Sequence, residues 1–429
     1  MKKAIKASAA PIIAGMLTLF LLLGLAGPAA SETKEEPIVI GTLMSLYNPY
    51  GRDHVKSMEL AIEELNAQGG VEVDGVKRKF KLVTTDTRDA EPGVPAHDAI
   101  NATEKLILDE KPDFIVGAYH RSEVLLAAMD MLAKYKIITF SGSPQTPAYT
   151  KRISENYEKY KYMFRAVPNA QQTGLFVGEW LGGIHEEIGL SNLFTVAIDF
   201  EWAKATGKAL SDVAEKKGWK SVGFKVVPPG EGNFSTALNA ARRAEAELIM
   251  LIHDLPQSAT FLSQWEAMQI PSLVMGIHAP PILNISAWDR YGDDLAYVLG
   301  PEMAAGGSIP MKKLEGSEEF VDNWIKKFGS PPETTEPNWM YESMYILADA
   351  IKRTGTIDTD KLIKAIEDTD FVTLSGRVQF DKKSHQRLFG LDPEEVSISC
   401  GFQWIDGKRV PVFPLKIAEG KIKLPVWME

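Results

Sequence analysis

The sequence predicts an α/β fold of two Rossmann-like lobes, each a parallel sheet flanked by helices. Three observations carry this expectation. Short apolar strand runs without a polar face alternate with segments of helical period, the pattern of a parallel sheet covered on both sides. The alternation runs to "IITFS" at 137–141 and then starts again beyond a crossing strand. The chain has 429 residues, too many for one ordinary core.

The elements follow in order. "IVIGTL" (38–43) is a strand. Val55, Met58, Ile62 and Leu65 recur at helical spacing, and Gly69 and Gly70 stop that helix. "KFKLVTT" (79–85) is a strand, "AHDAINATEKLILDE" (96–110) a helix, "DFIVGA" (113–118) a strand, "SEVLLAAMDMLAKY" (122–135) a helix and "IITFS" a strand. "YMFRAVP" (162–168) reads as the crossing strand. The second set is "NLFTVAID" (192–199), "SVGFKVVP" (221–228), "LIMLIHD" (248–254) and "SLVMGIH" (272–278), with helices between. "AYVLGPEMA" (296–304) crosses back, and 317–328 and 338–355 are amphipathic helices. The tail from about 371 is strand-rich. No fixed-period repeat and no low-complexity linker occurs, so several strands rather than one tether join the lobes.

The N-terminus is of another kind. "MKKAIK" is followed by an uncharged apolar run and by "GPAASET", the n-region, h-region and small-residue end of a secretory signal peptide, with cleavage near Ala29. An uncleaved membrane anchor is the alternative. The single cysteine, Cys400, excludes a disulfide framework and a cysteine-rich metal site, and reads as a small buried residue. An apolar fraction of 45% and a charged fraction of 24% belong to a soluble globular protein. A net charge of −10 argues against nucleic acid or an anionic membrane as partner.

In a doubly wound sheet, ligands bind outside the carboxyl ends of the strands. Polar residues stand at five such ends: "AYHRS" (118–122), "SGSPQT" (141–146), "DFEWA" (199–203), "HDLPQ" (253–257) and "GIHAP" (276–280). A helix starts after the first, third and fourth, and free N–H groups there favour an anion. The candidate binding residues are therefore Tyr119, Arg121, Ser122, Ser141, Ser143, Gln145, Trp202, His253, Asp254 and His278. Arg121 either forms a bidentate pair with a ligand carboxylate or is a surface residue held by Glu123. Trp202 and Tyr341 are weighed as stacking aromatics, and the polar neighbours of Trp202 favour the cleft.

Enzyme signatures are scarce. No phosphate-binding glycine loop, H-E-x-x-H or G-x-S-x-G motif is present, and "HEEIG" (185–189) lacks the second histidine. The serines of "FSGSPQ" have no evident base, as an activated serine needs. His120, His253 and His278 at strand ends leave a three-histidine metal site open, with neutral polar contacts to a ligand as the plainer reading. "DTDK" (358–361) reads as a helix cap. Neither cofactor nor metal is expected.

"ELAIEELNAQGGV" (59–71), "TTDTRDAEPGVPAHDA" (84–99), "VGAYHRSEVLLAAMDMLAKYKIITFSGSPQTPAYT" (116–150) and "DFEWAKATGKALSD" (199–212) resemble the branched-chain amino-acid (leucine/isoleucine/valine-type) class I periplasmic solute-binding proteins of ABC transporters. The resemblance spans about 37–405. It implies the type I periplasmic binding protein fold, two lobes joined by three hinge crossings near 165, 300 and 375. Lobe 1 is then 31–165 plus 303–375 and lobe 2 is 166–302 plus 376–429, after the signal peptide 1–30. It implies that Ser122 receives a ligand carboxylate, that the 141–145 loop supports it, and that Trp202 stands where the family has Tyr. His253 or Asp254 stands near a second aromatic contact. His278 stands where amino-acid binders carry an acid for the ligand ammonium, and Pro144 lacks an N–H in the supporting loop. An aromatic or short organic acid, or an amide, is thus expected beside an amino acid.

The function implied is capture of a small ligand in the periplasm by a monomer that delivers it to an ABC permease, without catalysis. The rivals are an exported sensor domain and an exported hydrolase or metal enzyme using Ser143 or the histidines. Ser122→Ala and Arg121→Ala are each expected to weaken binding.

Overall fold

Strands without a polar face need a cover on each side, and the first sheet shows how it is supplied. The computed structural model describes residues 36–91 and 93–428; the segment read as a signal peptide lies outside the described residues. Phe80–Asp86, Ile38–Met44, Phe114–Ala118, Ile138–Phe140 and Met163–Phe164 lie side by side in that order, all parallel. From Phe114 to Val116 the side chains alternate between two layers, and Gly117, with positive φ, breaks the alternation so that Ala118 falls on the Ile115 side. Phe114 and Val116 join Met58, Leu65, Met344 and Leu347 in one core. Ile115 and Ala118 join Leu125, Met129 and Leu132 in another. The strand is wholly buried because each of its faces meets helices.

The second sheet runs Lys408–Phe413, Cys400–Ile405, Leu299–Glu302, Leu273–Ile277, Leu248–Ile252, Asn192–Ile198, Lys220–Val227. Five of these strands are parallel. The other two extend the sheet antiparallel, beyond the purely parallel expectation. The pairing of these two with each other is a local hairpin: Asp406 and Gly407 both have positive φ, as its tight turn requires, and "DG" supplies them. Cys400 is fully buried in this sheet, as its strand-like setting implied.

The chain passes between the sheets after Phe164 and after Glu302. Asn169 and Gln172 form a capping box that opens the helix Ala170–Ile188 beyond the first passage. The helix Asn338–Thr354 returns to the first lobe, packing on the helix Pro49–Ala67. Asp358 caps Thr359–Glu367 by accepting from the Lys361 N–H, so "DTDK" is a cap.

The third passage differs from expectation. The resemblance implies a crossing near 375, with 376–429 in the second lobe. Residues 376–390 instead stay against the first lobe, and the chain enters the second sheet only at Cys400. The cause is a set of buried contacts. His385 stacks on Phe164 at 4.1 Å and hydrogen-bonds Glu367 at 2.9 Å. Arg387 donates to Glu342 at 2.6 Å. A separate four-stranded sheet of Phe371–Thr373, Gly376–Val378, Ser397–Ile398 and Phe389–Gly390 forms here, short strands that sequence pattern alone does not assign to either lobe.

Candidate functional site

The C-terminal ends of six strands face one cavity of about 640 Å³. Beyond Ile38–Met44 stand Asn48 and Tyr50; beyond Phe114–Ala118, His120 and Ser122; beyond Ile138–Phe140, Ser143, Pro144 and Gln145. The second sheet contributes Trp202, Asp254 and His278. The cavity therefore lies at the strand ends of both sheets, the place the topology reserves for a ligand.

The strand–helix junction at 119–122 is built around Asp89. Its buried carboxylate accepts the N–H groups of His120 and Arg121 at 2.8 and 2.9 Å, and the Thr87 hydroxyl at 2.6 Å. Ser122 then opens the helix Ser122–Tyr135, whose N-terminus has no side-chain cap. The Ser122 side chain and uncapped first-turn N–H groups are what an anion requires. The 141–145 loop is tied to the junction: Gly142 N–H donates to Ala118 O at 2.9 Å and Ser143 N–H to Tyr119 O at 3.2 Å. The Ser143 hydroxyl is buried with no hydrogen-bond partner. No base is placed on it, as nucleophilic catalysis would need.

Of the ten residues expected from the sequence, Ser122, Ser143, Gln145, Trp202, Asp254 and His278 line the cavity. Four do not. Tyr119 takes a left-handed conformation (φ 66°) that turns its ring into the core, where its hydroxyl meets Thr103 at 2.7 Å. Arg121 lies against Glu123, Nε to Oε1 3.1 Å, the surface alternative. Ser141 is fully buried, its N–H donating to Phe164 O. His253 is buried behind the wall, where its Nδ1 accepts the Leu255 N–H at 3.2 Å and its ring meets Phe234 edge-on. That separates it from His120 and His278, and no group of three or more metal-ligating side chains occurs among the described residues.

On the second lobe, Trp202 and His278 meet edge-to-face at 5.7 Å. His278 has positive φ (59°), which sets its ring at the cavity wall, and the enclosing walls push its pKa down. Desolvation raises that of Asp254. On the first lobe His120 approaches Asn48, Nε2 to Nδ2 3.4 Å, and burial lowers its pKa.

Sequence reasoning missed one wall altogether. The loop before Asn338–Thr354 brings Glu333, Thr334 and Glu336, and the helix itself brings Trp339. Asp53 fixes this loop by accepting the N–H and hydroxyl of Thr334 at 2.8 and 2.9 Å. Glu333 is paired with Arg52 at 2.7 Å. Among the described residues neither lysine nor arginine lines the cavity, whereas Asp254, Glu333 and Glu336 do. The signal available was "NPYGRDH" at 48–54, polar residues beyond a strand end. Nothing comparable marks 333–336, which no sheet strand precedes.

Behind Glu336 lies Glu302, and burial pushes the pKa of each up to about 7. Ionising either costs the folded protein more than the unfolded chain. Their stabilising contribution is full below the ordinary glutamate value of 4.5 and is lost as pH rises to about 7. Glu302→Gln keeps an acceptor for the Ser308 N–H and stays neutral. It is expected to gain about 2 kcal/mol on the wild type between about pH 5 and about pH 8. Unfolding titrations at both pH values measure this, and an unchanged difference between the two proteins would contradict it.

Comparison with known proteins agrees with this geometry. The family described as periplasmic binding protein matches residues 39–389. A Leu/Ile/Val-binding protein homolog 7 of Brucella melitensis is 24% identical over 418 residues, covering 95% of this chain and 98% of the relative. The Streptococcus pneumoniae branched-chain amino acid transporter substrate-binding protein, solved with isoleucine, has a TM-score of 0.65 at 17% identity, covering 91% of this chain and 100% of that one. A Rhodopseudomonas palustris solute-binding protein of an ABC transporter, solved with benzoate, has a TM-score of 0.65 at 15% identity, covering 90% and 98%. The type I periplasmic binding protein fold and the leucine-binding-protein-like resemblance read from the sequence are thereby borne out.

Proposed function

We propose a function on one premise: the chain belongs to the periplasmic binding protein family. It captures a small carboxylate-bearing ligand, an amino acid or an organic or aromatic acid, in the cavity between its lobes. It does so in the periplasm, as a monomer and without catalysis, and hands the ligand to the permease of an ABC importer. The two lobes close on the ligand by turning about the three passages of chain between them.

The observation that carries this reading is the convergence of six strand ends on one cavity with Ser122 at an uncapped helix N-terminus. A ligand carboxylate there accepts from the Ser122 hydroxyl and from first-turn N–H groups, and Ser143 offers a second hydroxyl, buried and without a partner. Trp202, Trp339 and Tyr50 supply apolar surface for the rest of the molecule. That relatives of this fold hold isoleucine in one case and benzoate in another fits a carboxylate anchor with a variable remainder.

The test is a thermal-shift panel on the mature chain, with amino acids, aliphatic and aromatic acids, and amides. A ligand at about 100 times its Kd adds about 2.7 kcal/mol, a readily measured shift. Ser122→Ala is expected to weaken a carboxylate ligand about tenfold or more without unfolding the protein. Arg121→Ala, whose side chain pairs with Glu123, is expected to change affinity by no more than about twofold. Equal losses in both variants would place the anchor elsewhere on the junction. Silence across the whole panel would remove the capture reading.

A further inference from the structure

Three charged side chains are buried together where the chain passes from the second lobe to the first. Glu302 ends the strand Leu299–Glu302, Arg409 lies on Lys408–Phe413, and Glu336 lies on the loop before Asn338–Thr354. Their exposures are 0%, 9% and 5%. Glu302 Oε1 accepts the Ser308 N–H at 3.0 Å, and Arg409 Nη2 donates to Ser308 O at 3.0 Å. Glu302 Oε2, Glu336 Oε2 and Arg409 Nη1 have no hydrogen-bond partner. Two carboxylates thus share the field of one guanidinium, and buried charges without a partner are costly.

Glu336 is the member that reaches the cavity wall. The groups facing it supply no second cation. Tyr50, Asp53 and His54 come from the helix Pro49–Ala67. His54 is kept neutral by burial, its pKa lowered to about 3. Glu333 and Thr335 are on its own loop, and Asp254 and His278 line the same cavity from the second lobe. Resting on the capture reading above, we infer that Glu336 is the counter-charge of a cationic nitrogen in the ligand, and that the arriving cation displaces to solvent a proton held by the Glu302–Glu336–Arg409 cluster. Tyr50, Trp202 and Trp339 suit such a nitrogen, since aromatic faces attract cations.

The probes are the common amino acids, glycine betaine, and acids of matching skeleton without nitrogen, such as 4-methylpentanoate beside leucine. A cationic probe is expected to stabilise the protein, and its nitrogen-free partner to bind at least about tenfold more weakly. Amino acids against betaine separate a primary ammonium from a quaternary one. Calorimetry of the best probe in two buffers of different ionisation enthalpy should show about half a proton released at pH 7. Kd should rise about tenfold from about pH 8 to about pH 6, because protonated Glu336 offers no charge. Glu336→Gln should abolish both effects; the wild-type proton count stands even if that variant fails to fold. Equal binding of the nitrogen-free acid, or binding without proton release, overturns the inference while leaving capture intact. Failure of every cationic probe overturns it too, and failure of acids and amides in addition overturns the capture reading.

Discussion

Arg387→Ala is expected to remove about 3–5 kcal/mol of stability. The guanidinium is fully buried against Glu342, whose side chain is 1% exposed. It donates Nη1 to Glu342 at 2.6 Å, Nε to Ser397 at 2.8 Å and Nη2 to Ser375 at 2.8 Å. Ser375 also bonds Glu342 through its N–H and hydroxyl at 2.8 Å each. Truncating the arginine strands the Glu342 charge in the interior without its cationic partner. Replacing both partners together, Arg387→Met with Glu342→Leu, removes the stranded charge and should recover most of the loss. Urea unfolding of the three proteins decides it. A loss below about 1 kcal/mol in Arg387→Ala would show that the pair does not hold segment 376–390 to the helix Asn338–Thr354.

Asp89→Ala is expected to lower ligand affinity more than Ser122→Ala does, although Asp89 lies outside the cavity lining. One carboxylate oxygen holds two successive N–H groups, of His120 and Arg121, and so fixes the direction in which the next helix starts. Without it those donors are left buried and unmet, at about 1–3 kcal/mol each, and Ser122 loses its position. The expected outcome is a stability loss of roughly 2–6 kcal/mol with an affinity loss above about tenfold. Calorimetry with a ligand identified by the panel measures the second. Unchanged affinity would mean that the junction is positioned by the helix Ser122–Tyr135 alone.

How much of this was legible in the sequence depended on range. The buried strands were, because "IVIGTL", "DFIVGA" and "LIMLI" have no polar face and each residue reports its own environment. Ser122, Trp202 and His278 were legible because the carboxyl end of a parallel strand is a local landmark. Tyr119 was misplaced because a single left-handed residue reverses the direction of a side chain without leaving a trace in the pattern. His253 was misplaced because it follows its strand immediately and turns under the wall, while Asp254 beside it turns out. Glu336 and Trp339 were missed because they come to the cavity through tertiary packing on Pro49–Ala67, nearly three hundred residues away in order. The third passage was misjudged for the same reason: Arg387 and His385 declare their lobe only through Glu342, Glu367 and Phe164.

The single thiol has a consequence of its own. Cys400 sits where the chain first enters the second sheet after the third passage, fully buried, and burial raises its pKa well above the ordinary value. A closed sheet hides it from alkylating reagents, and any modification requires that strand to part from its neighbours. One thiol per molecule then gives one unambiguous count. Its rate of alkylation in native buffer is a clock for excursions of the second lobe, readable by mass alone and needing no label or mutation.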